Sequence, residues 1–104
     1  MGENQAVFVT LKLAGGHFGS DDERKVIRAL EHDISAAIDA AGTGEYDGDE
    51  FGGGEVVLYM YGPDADALFA TVEPLLRREP RFPGHAIVRY GESGTATPRR
   101  QVDL

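Results

Sequence analysis

The chain of 104 residues has no cysteine. Disulfides, thiolate metal sites and cysteine nucleophiles are therefore excluded, and a reducing cytoplasm is the expected compartment. Long apolar runs are also missing: none approaches the ~18 residues of a membrane span. The first residues, MGENQAVFVTLKL, lack the basic segment and apolar core of a secretory signal, so the chain is expected to be soluble and unexported. Positive charge is scarce. Ten Lys and Arg stand against eighteen Asp and Glu, a net charge of -8, and this predicts no binding to nucleic acid or anionic membrane, both of which need a cationic surface. Between Arg28 and Arg77 there is no Lys or Arg, while Glu31, Asp33, Asp39, Glu45, Asp47, Asp49, Glu50, Glu55, Asp64, Asp66 and Glu73 all fall there. Such a one-signed stretch is either a solvated face or a surface that meets a basic partner.

What is present is patterned. Ala6 to Leu13, AVFVTLKL, alternates as a strand, with Val7, Val9, Leu11 and Leu13 on the core side and Phe8, Thr10 and Lys12 on the other. The glycine-rich AGGHFGS then breaks the strand. Ser20 followed by Glu23 has the form of a capping box, and Asp21 and Asp22 suit the positive end of a helix dipole. From Asp21 to Ala41 the residues Val26, Ile27, Leu30, Ile34, Ala37, Ile38 and Ala41 recur at three- and four-residue spacing, the stripe of an amphipathic helix, which Gly42 should end. Glu45 to Phe51 is polar and broken by Gly48, as an edge strand or an irregular hairpin arm tolerates. Gly52 to Gly54 form a turn into the strand Glu55 to Tyr61, where Val56, Leu58 and Met60 alternate with Val57, Tyr59 and Tyr61.

Gly62-Pro63-Asp64 should open a second helix with proline in its first turn. Its stripe is Leu68, Phe69, Val72, Leu75 and Leu76, and Pro74 inside it predicts a kink or a break. A connection over 79–84 leads to a last strand, His85 to Tyr90. The remaining ESGTATPRRQVDL has few apolar residues, so residues 92–104 are expected to form a flexible tail beyond a single domain over 1–91.

The order strand, helix, strand, then strand, helix, strand resembles the ferredoxin-like, split βαβ superfold over about residues 5 to 91. The resemblance implies an α+β two-layer sandwich with an antiparallel sheet in the order 4-1-3-2 and both helices on one face. It implies no function. The segment GEYDGDEFGGGE followed by YGPDADALF resembles a motif of small uncharacterised bacterial proteins, and that likeness implies no catalytic residues.

With both helices on one face, Phe8, Thr10, Lys12, Val57, Tyr59, Tyr61, Ile87 and Arg89 are left on the other. Six of these, Phe8, Thr10, Val57, Tyr59, Tyr61 and Ile87, make a face too apolar to stay bare, which predicts self-association as a homodimer; cover by the C-terminal tail is the competing expectation. Aromatics on central strands also match the layout of RNA-binding sheets, but Lys12 and Arg89 alone do not offset the acidic charge. The carboxylates Glu45, Asp47, Asp49, Glu50 and Glu55 invite a hard divalent ion. Their spacing fails the calcium-loop pattern, with Phe51 and Leu58 at ligand positions, so no metal and no cofactor is expected. Gly15-Gly16-His17-Phe18-Gly19 precedes a helix N-terminus, where phosphate would sit, but the acids that follow would repel it. His17, His32 and His85 have no partner at ligand spacing.

The resulting expectation is a domain without catalysis of its own. It would bind a basic protein partner, of immunity or inhibitor type, through Glu45, Tyr46, Asp47, Asp49 and Glu50, and pair through its open sheet face. The alternative is a small dimeric enzyme or ligand-binding domain whose pocket is lined by Tyr46, Tyr59 or Tyr61 and an acid.

Overall fold

A computed structural model describes residues 5–91 and 98–104. The elements in chain order are β1 (Gln5–Lys12), α1 (Asp21–Ala41), β2 (Glu45–Gly52), β3 (Glu55–Gly62), α2 (Ala65–Arg77), β4 (Gly84–Arg89) and β5 (Arg99–Asp103). Among the described residues they form an α+β structure with two helices and one five-stranded sheet in the order β2-β3-β1-β4-β5, every neighbouring pair antiparallel.

Hydrophobic alternation explains the centre of the sheet. Val7, Val9 and Leu11 of β1 lie beside Met60, Leu58 and Val56 of β3. Together with Ala86 and Val88 of β4 they are buried on one face. Onto that face α1 presses Ile27, Leu30, Ile34 and Ile38, and α2 presses Ala65, Leu68, Phe69, Val72 and Leu76. Each of these side chains removes most of its apolar area from water, about 1.5–3 kcal/mol for a Val, Leu, Ile or Phe. Every buried residue among those described is apolar or glycine.

The helix ends follow the expected chemistry. The Ser20 hydroxyl accepts from the Glu23 amide at 3.0 Å while Glu23 Oε1 accepts from the Ser20 amide at 2.9 Å, a reciprocal capping box. Glu23 also accepts from the Ala14 and Gly15 amides at 2.8 Å. These backbone N–H groups, Ala14 and Ser20 first, hold its carboxyl below the usual range. Gly42 closes α1 in the left-handed conformation, φ 68°, with its N–H on the Ile38 carbonyl.

The expected four-stranded order 4-1-3-2 needs correction, because a fifth strand is added beyond β4, and so do two further expectations, while that at Pro74 is decided in part. The residues beyond 91 are not all a loose tail: Arg99–Asp103 form β5 along β4, flanked by Pro98 and Leu104, which bond to Tyr90 and Gly84, while residues 92–97 of the expected tail lie outside the described residues. Arg100 clips this strand to α2, its guanidinium reaching Tyr90 Oη at 3.1 Å and Asp66 Oδ1 at 3.2 Å, and Tyr90 donates to the same Asp66 oxygen at 2.6 Å. Pro63 stands outside α2, whose N-cap is Asp64, accepting from the Asp66 and Ala67 amides. Finally, of the kink or break expected at Pro74, the break is absent: α2 runs on through Pro74 to Arg77. Pro74 and Ala70, one turn earlier, are both exposed, so the carbonyl that loses its partner can turn to water.

Candidate functional site

The polar edge strand β2 carries five expected binding residues, and the fold sorts them onto different sides. Tyr46 pairs with Met60, Gly48 with Tyr59, Asp49 with Leu58, Glu50 with Val57 and Phe51 with Val56, with a register shift between Tyr46 and Gly48. Asp47 is the extra residue of a β-bulge. Gly48 beside it has φ 141°, a conformation that a residue with a Cβ adopts only under strain. Because the bulge shifts the alternation by one, Tyr46, Asp49 and Phe51 all face the helices, opposite core residues of β3. Glu45 and Glu50 face the other way, and Asp47 is exposed at the edge.

The inward pair meets a residue that the sequence reading did not single out. Tyr46 Oη donates to Glu31 Oε1 of α1 at 2.8 Å, while Glu31 Oε2 is buried with no hydrogen-bond partner. Burial pushes the Glu31 carboxyl up to about 7, and the neighbouring Asp49 carboxyl adds to the rise. The Tyr46 hydroxyl and the Arg28 charge oppose it. Two carboxylates cannot hydrogen-bond to each other until one takes a proton, so a protonated Glu31 resolves the arrangement and gives the orphaned oxygen a hydrogen to donate. Tyr46 is raised for the same reasons, burial first and the hydrogen bond to Glu31 second. Arg28 closes the group from outside, 4.0 Å from Asp49 and 5.9 Å from the centre of the Phe51 ring. One signal for Glu31 was available: it stands four residues after Ile27 and three before Ile34, on the flank of the buried stripe.

On the opposite face, β3 and β1 set Tyr59 beside Phe8 and Tyr61 beside Ala6. The Phe8 ring meets Tyr59 at 5.4 Å and Tyr61 at 5.8 Å between centroids, edge-on in both cases, the geometry that aromatic quadrupoles favour. The Arg89 guanidinium lies 5.2 Å over Phe8, while its Nε donates to the Gly91 carbonyl at 2.8 Å. Ile87 continues the row beyond Phe8, Thr10 and Val57 form the next row, and all of these side chains are half-buried. Tyr59 Oη donates to Glu50 at 3.0 Å, and that hydrogen bond raises the Tyr59 hydroxyl. Since residues 99–103 lie beside β4 in the plane of the sheet, they do not cross this face.

The sheet thus separates Tyr46 from Tyr59 and Tyr61, and no single pocket can be lined by Tyr46 together with either. Of the hollows on the surface, one of about 310 Å³ lies between the helices, over Val26, Leu30 and Leu75, and one of about 330 Å³ lies beside Phe82 and Leu104; neither touches β2. Among the described residues no three His, Asp or Glu side chains gather as a metal site, and no helix is long and apolar enough to cross a membrane. His17, which has no partner at ligand spacing in the sequence, ties two loops together, its Nδ1 accepting from the Gly53 amide at 3.0 Å and its carbonyl from the Gly54 amide at 2.9 Å. Compared with models of known families, with curated proteins and with solved structures, the chain matches none.

Proposed function

We propose that this chain is a protein-interaction module whose working surface is the helix-free face of its sheet, and that it pairs there with a second copy of itself. The observation that carries the reading is the aromatic array: Phe8 held edge-on between Tyr59 and Tyr61, with Arg89 above it. Rigid aromatics and arginine are the residues that most often anchor interfaces. Val57, Ile87 and Thr10 extend the array into a continuous patch across three strands, larger than isolated apolar surface residues would make. The core beneath is read as ferredoxin-like with β5 added beyond β4, and the lack of cysteine suits a reducing cytoplasm.

The acidic strand supports the second half of the reading, a basic protein surface as partner. In this reading the role falls to Glu45 and Asp47, with Glu50 beside them bonded to Tyr59, since Tyr46 and Asp49 are engaged with Glu31 and Arg28. Catalysis is the weaker reading, because Glu31, whose carboxyl burial raises, is packed behind the edge strand and lines neither of the two hollows described above.

Sedimentation equilibrium between 5 and 200 μM tests the proposal. The wild-type chain is expected to dimerise with a Kd in the micromolar range, and Tyr59→Lys with Ile87→Lys to remain monomeric with an unchanged circular dichroism spectrum. A wild-type chain that stays monomeric over the whole range overturns the proposal.

A further inference from the structure

The open face is charged unequally from one side to the other, and this inequality dictates how two copies can meet. Across the face the register sets four rows. Glu45, Tyr61, Ala6, Arg89 and Arg99 form one. Gly48, Tyr59, Phe8, Ile87 and Gln101 form the next, followed by Glu50, Val57, Thr10, His85 and Asp103, and then by Glu55 beside Lys12. The β2–β3 side carries Glu45, Glu50 and Glu55, with Asp47 exposed at its rim, and no cation. Among the described residues the β4–β5 side carries Arg89 and Arg99 against the carboxylate of Asp103. The centre, Phe8 with Tyr59 and Ile87, is apolar.

Resting on the self-association reading, we infer that the basic partner of the acidic strand is the β4–β5 side of a second copy of this chain, brought there by a two-fold axis that runs parallel to the strands. Two flat faces can be stacked by a two-fold axis in the plane between them in two principal ways. An axis across the strands returns each margin to itself and sets four carboxylates over four, with Glu45 opposite Glu50. An axis along the strands, near β1, exchanges the margins. Glu45 then stands opposite Arg99, Tyr61 opposite the guanidinium of Arg89, Tyr59 opposite Ile87, and Phe8 near its own symmetry mate. The like-charge encounters are Glu50 with Asp103, where Glu50 is already occupied by the Tyr59 hydroxyl, and Lys12 near its own symmetry mate, where each lysine has Glu55 beside it. Like charges brought together across an interface are costly and opposite ones set its register. Either axis keeps the strands of the two sheets aligned, as the packing of twisted sheets at about 30° requires, so charge decides between them. The face is large enough for the purpose: five strands about 4.8 Å apart and up to eight residues long span roughly 500 Å² before side-chain relief is counted, approaching the ~800 Å² per partner of a standard interface.

Charge exchange between Glu45 and Arg99 tests the arrangement. Both side chains are exposed at strand margins, so Glu45→Arg and Arg99→Glu should leave the fold intact, as circular dichroism will verify. In the inferred dimer each single variant opposes like charges twice, so its dissociation constant is expected to rise about three- to tenfold at 50 mM salt. A one-to-one mixture of Glu45→Arg with Arg99→Glu opposes unlike charges at both contacts and is expected to pair preferentially as the mixed dimer, an advantage that fades by 500 mM salt. The crossed axis predicts the reverse for the first variant, because Arg at position 45 would face Glu50 and tighten its self-association. A wild-type dimer with a tighter Glu45→Arg dimer, or with no mixed-dimer preference, overturns the inferred arrangement while leaving self-association standing. A wild-type chain that never dimerises overturns both.

Discussion

Replacing Glu31 by glutamine should stabilise this protein at neutral and alkaline pH and leave it nearly unchanged in mild acid. The carboxyl is moved from its ordinary 4.5 to about 7 by burial and by Asp49. Such a move corresponds to at most about 3.4 kcal/mol of preference for the protonated form in the folded chain, and to about 2 kcal/mol once screening at a half-exposed site is allowed for. The folded pKa is the higher one, so between about 4.5 and 7 the folded chain binds more protons than the unfolded chain. Stability contributed by Glu31 is therefore greatest below pH 4.5, falls as pH rises to about 7, and is level above that. Glutamine has no proton to lose. Its carbonyl can accept from Tyr46 and its amide can donate to Asp49, filling the place of the unpartnered Oε2. Urea and thermal denaturation from pH 5 to pH 8 should show the two chains within about 0.5 kcal/mol at pH 5 and Glu31→Gln more stable by about 2 kcal/mol at pH 8, or about 8 °C in Tm. Tyr46→Phe, which removes the donor that opposes the rise, should steepen the loss instead. A Glu31→Gln chain that is no more stable than wild type at pH 8, or a difference that does not change with pH, would refute the account.

Two further substitutions probe the frame around these surfaces. A Cβ built on Gly84 would stand 1.8 Å from the Thr10 carbonyl oxygen, a backbone atom that can move only by parting β1 from β4; Gly84→Ala should cost about 3 kcal/mol in urea denaturation, and a cost below about 1 kcal/mol would contradict the close approach of the strands. Pro74→Ala restores an amide donor within α2 at an exposed position and should raise stability by about 1–3 kcal/mol; a loss on thermal denaturation would mean that the proline is favoured by something other than its tolerance at a solvated turn.

Most of the frame could be read from residue order because local and tertiary preferences agree there. In β1, α1 and β3 the apolar period, the caps and the buried face coincide, and the structure uses the same residues. β5 could not be read in this way. Arg99, Arg100, Gln101 and Asp103 have little intrinsic strand preference, and the strand exists because β4 offers an open edge and Arg100 finds Asp66 and Tyr90. Of the expected acidic segment, its place on the polar edge was legible, but its division between the two faces was not, because a polar strand has no apolar alternation to assign its sides and the extra residue at 47 breaks the period. Glu31 escaped notice since its partners come from a strand fourteen or more residues away, and only the folded chain brings a helix flank to that edge. The open aromatic face, by contrast, followed from helix placement alone, and the same six residues, Phe8, Thr10, Val57, Tyr59, Tyr61 and Ile87, make it up.

The bulge at Asp47 acts as a phase shift in the strand. Counting back from Phe51 without it, Asp47 and Glu45 would join Asp49 beneath the helices, and Tyr46 would emerge among the surface aromatics beside Tyr61 and Tyr59. Three carboxylates would then crowd the space that Glu31 borders, and no hydroxyl would reach it. One additional residue thus assigns the tyrosine to the interior and the surplus charge to water. Deletion of Asp47 would consequently close the bulge and leave Glu45, Tyr46, Asp49 and Phe51 on their present sides, whereas a residue added elsewhere in the strand, with no second bulge to absorb it, would exchange chemical roles between the two sides of the sheet.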